Sequence, residues 1–271
     1  LIVVHDLPAL RAALASRPGA WALAATMGAL HAGHVALVTQ AHRLAPNVAA
    51  SIFVNPTQFA AHEDLTRYPR DEAGDLAKLE AAGCDLVWLP SVATMYPPGD
   101  RTFVEVGGPS AGYEGAMRPG HFRGMATVVA KLLHQVGPAF AMFGEKDWQQ
   151  LQVVRRMVAD LHLPVEIVGV PTVREPDGLA MSSRNRFLTP AERALAPCLA
   201  KVLWRTAAAL GEGRGEAVAE GEEALRAEGF GVDYFAHVDG ASLGAPGAGP
   251  ARLIAAVRLG SVRLLDNVPV G

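Results

Sequence analysis

Two histidines three residues apart, His31 and His34, stand in the segment Thr26-Met27-Gly28-Ala29-Leu30-His31-Ala32-Gly33-His34. A short apolar run, Trp21–Thr26, leads into it, and a helix-like stretch over 33–44 leads out. The histidines therefore fall where a strand hands over to a helix. Such a junction is a ready anion site, because the first N–H groups of a helix lack intrahelical partners and its dipole favours negative charge. Gly28 and Gly33 allow main chain to approach a phosphate closely. Side chains three apart at a helix start face the same ligand. Phosphate or nucleotide chemistry is what these residues support. The chain contains neither a G-x-x-x-x-G-K-[ST] loop nor a G-x-G-x-x-G turn. A zinc site would need a third ligand, and none stands at a suggestive spacing.

Two further groups suit an anion. Gly144-Glu145-Lys146-Asp147 again ends an apolar run and opens a helical pattern, which puts Lys146 beside a second helix start. A cation there can neutralise a triphosphate or the charge developing on leaving pyrophosphate. Met181-Ser182-Ser183-Arg184 offers two hydroxyls and a guanidinium, a good phosphate clamp.

The elements that must position these groups follow from apolar patterning. Runs at 21–26, 48–54, 85–90, 140–144 and 165–170 are short and unalternating, as in parallel strands buried on both faces. Helical patterns lie between them, over 33–44, 71–82, 122–136 and 147–161. In the last, Leu151, Val154, Val158 and Leu161 make one apolar face. This alternation predicts a doubly wound, mostly parallel sheet. After the turn cluster Arg174-Glu175-Pro176-Asp177-Gly178 the pattern changes. Thr189-Pro190-Ala191-Glu192 reads as a helix start, with helices near 190–210 and 214–228 and strands over 232–238, 252–259 and 261–266. The expected organisation is a domain over 1–173 and a smaller α+β domain over 174–271.

Of the 271 residues 50% are hydrophobic and 19% charged, which marks a globular chain; the net charge of −3 argues against nucleic-acid binding. Cys84 and Cys198 have no metal-type spacing and read as free thiols. No apolar run approaches a membrane span, and the opening Leu1-Ile2-Val3-Val4-His5-Asp6 is too short for a signal peptide. A cytoplasmic protein is expected.

The blocks Thr26–His34, Ser51 to Phe59, Tyr68-Pro69-Arg70, Arg118-Pro119-Gly120-His121-Phe122, Gly144 to Leu151 and Met181 to Arg186 resemble, in order and spacing, the pantothenate synthetase (pantoate–β-alanine ligase) family. The ending Arg263-Leu264-Leu265-Asp266-Asn267 is also similar, so the resemblance covers nearly the whole chain. It implies a Rossmann-like α/β fold of the HIGH-type nucleotidyltransferase superfamily, with residues 1–173 binding ATP and pantoate and 174–271 forming a lid. It implies joining of pantoate to β-alanine through an acyl-adenylate, with ATP as substrate and Mg²⁺ required. By the same resemblance His34, His31 and Lys146 are catalytic. Met27, Gly28, Ala29, Leu30, Ala32 and Gly33 bind ATP together with the two histidines. Gly144, Glu145, Asp147, Val173, Met181, Ser182, Ser183 and Arg184 join Lys146 in that task, Val173 through an adenine contact. Gln58 and Gln150 orient pantoate, Met27, Val128, Val129 and Phe59 wall its methyl groups, and Gln58 also serves β-alanine. Asp75 is assigned to Mg²⁺, and a homodimer is expected. The chain departs from the family pattern at Ala25, Ala32, Thr57 and Trp148, where Pro, Glu, Met and Tyr are usual.

Overall fold

The protein is described by a computed structural model covering residues 1–60 and 64–271. In chain order these residues form β1 (Ile2–Val4), α1 (Leu7–Ala15), β2 (Trp21–Thr26), α2 (Ala32–Ala41), β3 (Asn47–Ile52), α3 (Glu72–Ala81), β4 (Leu86–Trp88), α4 (Val92–Met95), α5 (Tyr113–Met117), α6 (His121–Val136), β5 (Phe140–Gly144), α7 (Trp148–Asp160) and β6 (Glu166–Val170). Then follow α8 (Pro190–Leu195), α9 (Cys198–Gly211), α10 (Ala217–Ala227), β7 (Gly231–Asp239), β8 (Ala251–Leu259) and β9 (Val262–Val270). Short 3₁₀ turns cover Pro56–Gln58, Asp64–Arg67, Glu145–Asp147 and Ser183–Phe187.

The chain divides into two compact units, Leu1–Glu145 with Val153–Val170, and Lys146–Gln152 with Pro171–Gly271. Relative to a single cut after residue 173, the segment Lys146–Gln152 joins the C-terminal unit, so α7 begins in one unit and ends in the other.

In the first unit the described strands form a doubly wound sheet in the order β1-β4-β3-β2-β5-β6, and every pairing is parallel. Its middle is built from small residues: Ala22, Ala24, Ala49 and Ala50 are wholly buried. Alternate residues of a strand face opposite sides. Ala22, Ala24, Val48, Ala50 and Met142 share a core with Leu37, Val38 and Ala41 of α2 and Leu79 of α3. Elsewhere α6 packs on α1, β2 and the turn Pro56–Gln58. The connections from β2 and β5, adjacent strands, leave in opposite directions to β3 and β6. Ligands of open α/β sheets bind at such a switch point, beyond the carboxyl ends of the strands.

The second unit carries an antiparallel sheet, β7-β8-β9. Leu253 and Val257 of β8 and Leu264 and Val268 of β9 bury against Leu199 and Leu203 of α9 and Leu225 of α10. No helix among the described residues is long and apolar enough to cross a membrane. Cys84 and Cys198 are free; burial pushes the Cys84 thiol up to about 11 and raises that of Cys198.

Several elements differ from the sequence expectation. Leu161 lies beyond the end of α7 and is 48% exposed, so the apolar face stops at Val158. The helix expected over 190–210 is two helices, because Pro197 cannot donate a main-chain hydrogen bond and the chain is interrupted there. Its start is as expected: Thr189 Oγ1 accepts the N–H of Glu192, and Glu192 Oε2 accepts that of Thr189. β1 at the sheet edge and α1 were not foreseen, although Asp6 caps α1 by accepting the Ala9 N–H at 2.8 Å.

The approach of α6 to the Pro56–Gln58 turn occurs at Gly124. A Cβ there would stand 2.3 Å from the Thr57 carbonyl oxygen and 2.8 Å from the Gln58 nitrogen, both main chain. Gly124→Ala is therefore expected to destabilise the first unit, by about 1–3 kcal/mol. Calorimetry would register a fall of several degrees in its melting temperature, and an unchanged value would contradict the packing described.

Candidate active site

The turn after β2 is held in an unusual shape. Gly28 has φ 82 and Ala29 φ 52, left-handed values that turn consecutive N–H groups inward. Asp75, from the first turn of α3, accepts both: Ala29 N–H donates to Oδ2 and Leu30 N–H to Oδ1, each at 2.7 Å. A Cβ on residue 28 would stand 3.0 Å from that Oδ2, so glycine is needed for space as well as conformation. Asp75, expected at Mg²⁺, thus turns both carboxylate oxygens to the main chain of this turn. With 1% of its surface exposed, its carboxylate is committed to the turn, and Lys78 Nζ stands 3.7 Å from Oδ1. Among the described residues no group of three or more His, Cys, Asp or Glu side chains is placed to hold a metal.

The clamped turn delivers His31 to the N-cap of α2. There the two imidazoles cap the helix reciprocally. His31 Nδ1 accepts the Gly33 N–H at 3.1 Å, and His34 Nδ1 accepts the His31 N–H at 3.2 Å. The rings lie 4.1 Å apart, tilted by 43°. A main-chain N–H can only donate, so both Nδ1 atoms must be acceptors and each neutral ring carries its proton on Nε2. Two Nε2–H donors at a helix N-terminus are suited to phosphate oxygens. Gly144, which ends β5 next to β2, shares this end of the sheet.

Gln58 is buried and oriented. Its Oε1 accepts from Asn55 Nδ2 at 3.0 Å, while Nε2 points to Met27 Sδ at 3.2 Å. Asn55 is held in turn by Tyr96, whose hydroxyl donates to Oδ1 at 2.8 Å. Burial raises the Tyr96 pKa, so its proton stays available for that bond. The Gln58 carbonyl is bonded to His121 Nδ1 at 2.9 Å and Arg118 Nη2 at 3.4 Å. Val128 and Val129 are buried in α6, whose early turns pack on the Gln58 turn. The first unit thus brings Met27 and Gln58 into contact, and His31 and His34 follow Met27 by four and seven residues in the chain.

The remaining residues of interest belong to the second unit. Lys146 Nζ pairs with Asp147 Oδ1 at 3.2 Å. Lys146 and Ser182 line one small cavity with Ala180, Asn185 and Asp266. Ser182 Oγ accepts the Arg184 N–H at 3.3 Å and caps the turn Ser183–Phe187. The Val173 carbonyl accepts the Met181 N–H at 3.0 Å, closing a hairpin between them. Gln150 is half-buried in the first turn of α7. At the head of that helix, Trp148 Nε1 donates to the Gly240 carbonyl at 2.7 Å, and the Arg252 guanidinium stacks 3.4 Å over its ring.

Sequence reading gave no role to Asn55, Tyr96 or His121. Asn55-Pro56 was a legible signal, since Asn before Pro caps a short turn and its side chain accepts the Thr57 N–H.

A parallel nucleotide-type sheet with an imidazole-capped helix at its switch point defines a nucleotide-binding α/β enzyme. The model of the Pantoate-beta-alanine ligase family matches residues 2–269. A pantothenate synthetase from Acidiphilium cryptum is 61% identical over 98% of both chains. The crystal structure of pantothenate synthetase from Thermus thermophilus has a TM-score of 0.95 at 51% identity, covering 99% of both. That of pantoate–β-alanine ligase from Francisella tularensis, complexed with a form of ATP and β-alanine, has 0.85 at 31%, covering 99% of this chain and 97% of that one. The chain belongs to the pantoate–β-alanine ligase family, whose members are ATP-dependent ligases forming a C–N bond.

Asp75→Asn would keep the shape but turn an amide donor toward a main-chain donor. It should cost about 1.5–3 kcal/mol of stability and weaken ATP binding. Thermal unfolding and ATP titration on the purified variant check both; wild-type values in each would show that the clamp is dispensable.

Proposed function

We infer that this chain condenses (R)-pantoate with β-alanine to pantothenate, consuming ATP and releasing AMP and pyrophosphate. Two half-reactions are required because a carboxylate is a poor electrophile. The pantoate carboxylate attacks the α-phosphorus, forming pantoyl-adenylate as the bond to pyrophosphate breaks. The amine of β-alanine then attacks the acyl carbon, and AMP leaves with the bonding pair. The observation that carries this reading is the reciprocal imidazole cap at the head of α2, in a chain matched to the ligase family over residues 2–269.

Phosphoryl transfer of this kind is mostly positioning and charge stabilisation. His31 and His34 donate hydrogen bonds from Nε2 to phosphate oxygens as negative charge shifts toward pyrophosphate. Gly28, Ala29, Leu30, Ala32 and Gly33 line the nucleotide path with main chain, and Met27 borders it. Lys146 supplies cationic charge, Ser182, Ser183 and Arg184 clamp phosphate, and Gly144, Glu145 and Met181 shape the pocket. Asp147 takes ribose hydroxyls, and Val173 takes adenine through its main chain. Gln58 and Gln150 orient pantoate, Val128, Val129 and Phe59 wall its methyl groups, and Gln58 also places β-alanine. Mg²⁺ arrives on the ATP phosphates, a mode that needs few protein ligands. The roles divide between a nucleotide- and pantoate-binding N-terminal part and a C-terminal lid. Family resemblance supports a homodimer in the cytoplasm.

The decisive assay is AMP release, which should require ATP, pantoate and β-alanine together; release without β-alanine would favour a simple nucleotidyltransferase. Lys146→Ala should slow pantoate-dependent ATP–pyrophosphate exchange by at least about 10²-fold, and near wild-type exchange would remove the lysine from the mechanism. Gln150→Ala should raise KM for pantoate on the order of 10-fold with KM for ATP little changed; steady-state kinetics giving the reverse pattern would contradict the assignment.

A further inference from the structure

The similarity at Arg263-Leu264-Leu265-Asp266-Asn267 has no role in the scheme above, yet two of its residues are polar and buried. Asp266 and Asn267 are 3% and 4% exposed, between Leu264 and Val268 of the second unit's apolar core. Polar side chains are kept in such a place only when they are bonded. The β9 main chain pairs with β8 through this stretch, with Asp266 opposite Ala255 and Asn267 opposite Ile254. Their side chains are what reach other segments.

Arg174 grips Asp266 at two points, Nη1 to Oδ2 at 2.7 Å and Nη2 to Oδ1 at 2.9 Å. The same guanidinium donates to the Gly178 carbonyl at 3.0 Å, and Arg174 bridges Ala180 across the hairpin that runs from Val173 to Met181. Asp266 Oδ1 also accepts the Asn267 N–H at 2.8 Å, which fixes the neighbouring residue. Asn267 Nδ2 then donates to the main-chain oxygen of Lys146 at 2.9 Å. One strand therefore holds both the Lys146 segment and the hairpin that leads into Ser182, Ser183 and Arg184.

We propose that Asp266 and Asn267 are positioning residues for the ATP-binding groups of the second unit. Asn267 sets the main chain from which Lys146 projects, and Asp266, through Arg174, sets the Val173–Met181 hairpin. A lysine ends a flexible four-carbon stem, so the reach of its ammonium depends on where its root is held. The proposal rests on Lys146 serving the phosphates.

Asn267→Asp removes the donor at nearly constant shape, and Asn267→Ser, smaller and uncharged, covers the case in which the buried carboxylate prevents folding. Each is measured by pantoate-dependent ATP–pyrophosphate exchange, alone and in a Lys146→Ala background, with thermal unfolding as the check on folding. The expected result is a loss of about 10–100-fold in kcat with Lys146 present and less than about 3-fold without it, since groups acting through one another do not add. Equal losses in both backgrounds, or none with Lys146 present, would overturn the proposal. Wild-type exchange in Lys146→Ala alone would instead overturn the lysine role beneath it.

Discussion

Asp75 reaches from α3 to the turn after β2 and accepts two consecutive main-chain N–H groups, and the geometry of the imidazole pair depends on that contact. The turn needs left-handed φ values at Gly28 and at Ala29, a conformation that a non-glycine residue adopts at some cost. Hydrogen bonds to a buried carboxylate are stronger than those between neutral groups, and they offset that strain. With the turn fixed, Leu30 enters the core and His31 arrives at the N-cap of α2, where its ring can accept from Gly33. A serine, threonine, aspartate or asparagine would be the ordinary cap. Here histidine does the capping through Nδ1.

The same construction recurs elsewhere in the molecule. Gln58 is oriented by Asn55, which is oriented by Tyr96, and its carbonyl is bonded to His121 at the start of α6. The Lys146 carbonyl is held by Asn267 of β9. In each case a group on a loop is fixed by a buried polar side chain from a helix, strand or capped turn. Loops can be shaped by function, but they hold side chains to the tolerance that chemistry needs only when a rigid element supports them.

This arrangement decides what could be seen in the sequence. Strands β2, β3, β4 and β5 were legible because burial on both faces forces continuous apolar runs, and the Thr189–Glu192 cap was legible because its whole signal lies within four residues. β1 has only three residues and sits at the sheet edge, so it carries too little pattern to register. The imidazole pair could be found because both members share one helix start. The clamp that Asp75 makes could not be read: its partners are 45 and 46 residues away, and a carboxylate beside a helix start looks the same whether it binds metal, water or main chain. Asn267 is farther still from its partner, at 121 residues. Periodicity reports burial, and it is silent on which polar group a buried polar group has found.

The tautomer of the histidines carries a last consequence. Because main-chain donors occupy both Nδ1 atoms, the rings cap α2 only while neutral at that nitrogen, and a doubly protonated ring would set N–H against N–H beside the positive end of a helix dipole. In the proposed reaction the imidazoles would contribute oriented Nε2–H hydrogen bonds to a phosphate. Hydrogen bonds strengthen as charge moves onto the oxygens they face, whereas a fixed cation also attracts the ground state. Neutral donors facing oxygens on which charge develops would thus favour the transition state over tight binding of ATP itself.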